Sequence, residues 1–185
     1  MGLYVGSALA FLCFIAWTAE DTRIRIWGQP EAANHERLRR STLTMSVLTI
    51  PVVAAFFGWH LWMGHDVSYV NLLLTFCLYL PWALLQQTIF QFYLLGRLRV
   101  LLPLAPPILL AVVNGTAYGL VHLPNQQVTL LTIIGGIFWS YSYLRDRQIW
   151  PIAVSHAMVG STFYYFVIAR DLYGELFAYL SHLFQ

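Results

Sequence analysis

The chain has 185 residues, of which 59% are hydrophobic and only 10% charged, with a formal net charge of +2 and no lysine. Soluble domains average about 25% charged residues, so this composition excludes an ordinary water-facing surface. The small positive excess also gives no footing for a nucleic-acid partner.

The apolar blocks run over roughly 2–17, 42–63, 69–95, 102–122, 127–144 and 148–169. A membrane span uses about 20 apolar residues, so six spans need about 120 and leave short loops. The expectation is an all-α, polytopic membrane helical bundle of about six transmembrane helices, forming a single domain over 1–185. In the first block, Gly2 to Trp17 resembles the apolar part of a signal peptide. It lacks a basic start and a small-x-small cleavage site before Glu20-Asp21, so it is expected to be retained as a first span. The segment from Thr18 to Ser41 carries five arginines and is expected to be a polar loop. In the third block Pro81 is expected to kink the helix between Tyr69–Leu80 and Trp82–Leu95. Pro103, Pro106 and Pro107 delay the start of the fourth, whose Gly115 and Gly119 give a small face for close helix packing. The last stretch, Leu172 to Phe184, is expected to form an amphipathic tail in the interface. Cys13 and Cys77 lie in apolar stretches and are expected to pack in the core.

Nine of the ten arginines fall in the first, third and fifth loops, and only Arg170 falls elsewhere. Six spans place those three loops on one side, which the positive-inside rule makes cytoplasmic. The predicted location is an integral membrane protein, in a bacterial inner membrane. All eight carboxylates lie in loops or at helix ends. The polar groups within the spans are therefore few: Gln86, Gln87 and Gln91, then Asn114 and His122, then His156, with Asn125 and Gln126 close behind His122. Such residues mark functional sites or bond helix to helix. Gln87 and Gln91 stand four apart, a spacing at which two amides pair on one helical face. Counted from the arginines at about 1.5 Å per residue, Gln86 and His156 lie roughly 15 and 13 Å deep, and His122 about 25–30 Å.

Their order resembles the CPBP family, the CAAX prenyl protease and bacteriocin-processing membrane proteins also called Abi proteins. Its motifs are Glu-Glu-x-x-x-Arg, aromatic-x-x-x-His and His-x-x-x-Asn. Here they read Gln86-Gln87-x-x-x-Gln91, Tyr118-x-x-x-His122 followed by Leu-Pro-Asn125, and His156-x-x-x-Gly160. The similarity covers about 72–162. It implies an intramembrane glutamic endopeptidase core with Gln86, His122 and His156 at the catalytic positions. Gln87, Gln91, Tyr118, Asn125 and Gly160 fall at supporting or binding positions. The departures imply lost hydrolysis, because an amide cannot take a proton from water. A neutral Gln87–Gln91 pair, or a bond from Gln87 to a neighbouring helix, is expected in place of the family's ion pair.

No metal or cofactor is expected, since two histidines without a carboxylate or thiolate make a poor metal site. The partners expected are membrane lipid and a hydrophobic or lipidated peptide or partner transmembrane helix. An active histidine-based site and a structural subunit of a larger membrane complex are the alternatives. A serine–histidine dyad would draw on Ser140, Ser142, Ser155 or Ser161, none of which lies in a Gly-x-Ser-x-Gly setting.

Overall fold

A computed structural model describes residues 32–183, and all regular structure among them is helical. The expected first span, 2–17, lies outside the described residues, as does Cys13. Helix α1 is Ala32–Met63. It begins ten residues before the apolar block, so the end of the expected polar loop is helical. The run Ala32-Ala-Asn-His-Glu-Arg-Leu-Arg-Arg40 contains no breaker and several strong helix formers. Glu36 and Arg39 add an exposed pair one turn apart, with Nε to Oε2 at 3.0 Å.

Helix α2 is Tyr69–Leu101. Ser68 caps it by accepting a hydrogen bond from the Asn71 backbone N–H at 3.3 Å. The helix runs on through Pro81, where a kink between Tyr69–Leu80 and Trp82–Leu95 is expected. The irregularity comes seven residues later, where Thr88–Leu94 widens into a π-helical turn. Helix α3, Pro107–Leu120, has its proline at the first turn, where a missing N–H costs nothing. Helix α4 is Gln126–Asp146, and it stops at Arg147, which adopts a left-handed conformation with φ 57°. Helix α5, Trp150–Val167, is followed after a turn of 88° by α6, Leu172–Leu183.

Helices α3 and α4 pack most intimately. A Cβ added at Gly119 would lie 2.7 Å from the Ile133 backbone nitrogen, and one at Gly136 would lie 3.0 Å from the Gly115 Cα. These glycines let the two backbones approach directly. Helix α5 packs against both α1 and α2. The core between them gathers Met45, Leu95, Leu110, Tyr118, Trp139, Tyr143, Ile149 and Ile152.

The outer surface is apolar as well. Leu43, Val47, Ile50, Leu61 and Trp62 of α1 and Leu73 and Leu78 of α2 are exposed. Cys77 is exposed among them, contrary to the core position expected for it. Apolar surroundings in the sequence do not distinguish core from perimeter when the perimeter faces hydrocarbon. Among the described residues two helices, α1 and α2, are long and apolar enough to cross a membrane, and a third crossing is added if the bent α5–α6 pair is one span.

Among the described residues one carboxylate is wholly buried. Asp146 accepts from Arg40 Nε at 2.5 Å on Oδ1 and from Arg145 Nη2 at 2.7 Å on Oδ2. Arg145 also donates to Thr44 Oγ1 at 2.7 Å. The arginines at the start of α1 and the end of α4 therefore meet at one end of the bundle.

Candidate functional site

The interior polar groups form two adjoining layers. The first centres on Tyr118, which is fully buried on α3. Its hydroxyl oxygen stands 3.1 and 3.2 Å from Nδ1 and Nε2 of His156, and it donates to Gln86 Oε1 at 3.4 Å. Having one proton, it serves one of these acceptors at a time. Gln87 Nε2 lies 3.2 Å from His156 Nδ1 and donates to the Tyr118 hydroxyl at 3.4 Å. The His156 Nε2 faces the Tyr79 hydroxyl at 3.4 Å. Trp139 tilts over the same ring, centroid to centroid 4.8 Å. Its indole N–H donates to Ser155 Oγ at 3.1 Å, and Ser155 bonds Thr49 Oγ1 of α1 at 2.6 Å.

The second layer lies one turn away on α3. Asn114 Nδ2 donates to Gln91 Oε1 at 3.2 Å and to Ser140 Oγ at 2.9 Å. Ser140 in turn donates to the Gly136 carbonyl at 2.6 Å. Gln87, Gln91 and Asn114 are all fully buried. One atom of each amide, Gln87 Oε1, Gln91 Nε2 and Asn114 Oδ1, has no hydrogen-bond partner among the described residues. Buried polar atoms are rarely left so, and three together mark spare hydrogen-bonding capacity inside the bundle.

Of the two partners expected for Gln87, Gln91 or a neighbouring helix, the structure shows the second. Gln87 turns to α3 and α5, and Gln91 turns to Asn114 on α3. The reason is the π-helical turn that begins at Thr88: the α-helical four-residue spacing no longer aligns the two side chains. Gln86, expected at the catalytic position, is only half-buried and reaches Tyr118, while its neighbour Gln87 meets His156.

His122 sits just beyond the end of α3, half-buried, its Nδ1 3.1 Å from the Tyr118 carbonyl oxygen and 3.4 Å from Thr132 Oγ1. The two histidines flank one phenol: Tyr118 lies edge-on to both, 5.7 Å between centroids in each case. Among the described residues no group of three or more histidines, cysteines or carboxylates is placed to hold a metal. Asn125 does not join the cluster. It is exposed and caps α4, accepting from the Val128 N–H at 3.2 Å. At Gly160 an added Cβ would lie 2.8 Å from Tyr79 Cε1, so the tyrosine fills the space beside His156 that a side chain at 160 would enter. None of Ser140, Ser142, Ser155 or Ser161 hydrogen-bonds either histidine among the described residues.

Tyr79 and Trp139 escaped the sequence reading. Tyr79 had a signal, since Tyr79, Ala83 and Gln87 recur every four residues on one face. Trp139 had none that separates it from the chain's other aromatic residues.

An all-helical membrane protein with amide, imidazole and phenol groups gathered inside it is the class that this fold and cluster define. Residues 68–162, from the cap of α2 to the last α-helical turn of α5, match the family described as Type II CAAX prenyl endopeptidase Rce1-like, and the chain belongs to that family. The match covers just over half of the chain and every element of the cluster. No curated protein and no solved structure matches it.

Proposed function

We propose that this CAAX-protease-like membrane protein has lost glutamic-protease chemistry and acts as a binding or accessory protein. The observation that carries this reading is the neutrality of the cluster. Among the described residues no carboxylate contacts Gln86, Gln87, His122 or His156. General-base activation of water needs a group that titrates near the working pH, and an amide does not. The His156 nitrogens are already approached by Gln87, Tyr118 and Tyr79, so its ring is held rather than left open to a substrate water.

Amide, phenol and imidazole groups set among apolar helices suit a ligand with a polar group among apolar parts. A hydrophobic or lipidated peptide fits that description, as does a partner transmembrane helix. No cofactor is required. On this reading the chain crosses a bacterial inner membrane six times with its arginine-rich loops in the cytoplasm.

The test incubates purified protein with prenylated and unprenylated membrane peptides and follows products by mass spectrometry. No cleavage is expected, with peptide binding weakened in Gln86→Ala. Cleavage that disappears in His122→Ala would establish a working histidine site and overturn the reading. A stable complex with other subunits after mild detergent extraction would instead favour the role of structural subunit.

A further inference from the structure

Away from the cluster, at the end of the bundle where the arginines gather, α2, α3 and α4 enclose a cavity of about 280 Å³. Its lining includes Arg99, Arg145, Pro107, Leu110, Tyr141 and Leu144. No carboxylate lines it.

The charge there is not cancelled. Arg40 and Arg145 share the single carboxylate of Asp146, which leaves that trio with an excess of one positive charge. Arg145 spends Nε and Nη2 on Asp146 and Thr44, while its Nη1 makes no hydrogen bond among the described residues. Arg99, exposed in the last turn of α2, has no acidic partner among the described residues. The cavity also opens at the first turn of α3, the positive end of that helix. Apolar surface adjoins these charges in the same lining: Tyr141 is exposed and Leu144 partly so.

We propose that Arg99 and Arg145 hold the phosphate of an anionic membrane lipid, with its acyl chains against Tyr141 and Leu144. Guanidinium groups suit this role because their fixed fork of N–H donors matches phosphate oxygens. The shared chemistry is a phosphate-type oxyanion. Apolar surface adjoining the charges selects the lipid over free phosphate. This inference rests on the chain being a membrane protein and is independent of whether the cluster hydrolyses anything.

The experiment is native mass spectrometry of the purified protein titrated with phosphatidylglycerol, phosphatidylcholine or inorganic phosphate. Phosphatidylglycerol adducts should persist at activation energies that strip phosphatidylcholine, and millimolar phosphate should fail to displace them. Arg99→Gln should weaken retention about fivefold, the loss of one arginine at a charged membrane surface. Arg99→Lys should recover part of it. Arg37→Gln removes the same charge from an exposed position outside the cavity and should change retention less than twofold. Equal losses in Arg37→Gln and Arg99→Gln would show only a diffuse field and overturn the site. Displacement by phosphate, or equal retention of both lipids, would overturn the lipid assignment. Arg99 is exposed, so an unchanged melting temperature will confirm that its variants fold.

Discussion

Tyr118 joins three helices through one oxygen, which reaches Gln86 and Gln87 on α2 and His156 on α5 from its own place on α3. Tyr118→Phe keeps the ring packing and removes those bonds, leaving buried groups unsatisfied. The expected cost is about 1–3 kcal/mol, read from unfolding of the detergent-solubilised protein. Asp146→Asn tests a different kind of bond. It removes the only negative charge between Arg40 and Arg145 and should destabilise by about 1–3 kcal/mol, less than breaking a fully buried pair because both arginines remain partly exposed. If Asp146→Asn unfolds no earlier than the parent, the trio contributes nothing to stability.

At the scale of elements, the glycine contact between α3 and α4 carries the sharpest expectation. Gly119→Ala forces a methyl group against the backbone of Thr129 and Ile133 and should cost about 1–3 kcal/mol. Gly58→Ala is the control, since a Cβ there meets nothing within 4 Å. Thermal melts of the two variants side by side check both. This contact was legible in the sequence, because Gly115 and Gly119 fall on one helical face and glycine is the only residue without a Cβ. The prolines that delay α3 were legible for the same local reason. What Pro81 would do was not. A proline in a helix can bend it or be absorbed, and packing decides between the two. The π-helical turn at Thr88–Leu94 had no sequence signature, and it redirected Gln91 from Gln87 to Asn114. The buried amides were visible as rare polar residues in apolar helices. Their partners depended on a helix register that composition does not encode. The capping role of Asn125 was not read, because a polar residue near His122 reads equally well as a ligand or as a helix cap.

At the scale of the whole molecule, the six-span arrangement proposed above makes a direct prediction. Reporter fusions truncated after Gly64, Leu102, Asn125 and Arg147 should alternate sides, beginning outside; a cytoplasmic signal at Gly64 would refute it. The same arrangement gives the 14 residues of α3 an unusual position. A helix of that length reaches about 21 Å, against roughly 30 Å of hydrocarbon and about 50 Å for the 33 residues of α2. If α3 spans the membrane as proposed, a short span beside a long one would give the protein two different thicknesses around its circumference. Lipid next to α3 would then have to compress, or headgroups and water would have to dip inward at its ends, one of which carries His122. Such a molecule would migrate to thin regions of a bilayer and deform thick ones. Reconstituted in vesicles of graded acyl length, it should melt at a higher temperature in the shorter chains, where the surrounding lipid no longer has to bend to meet it.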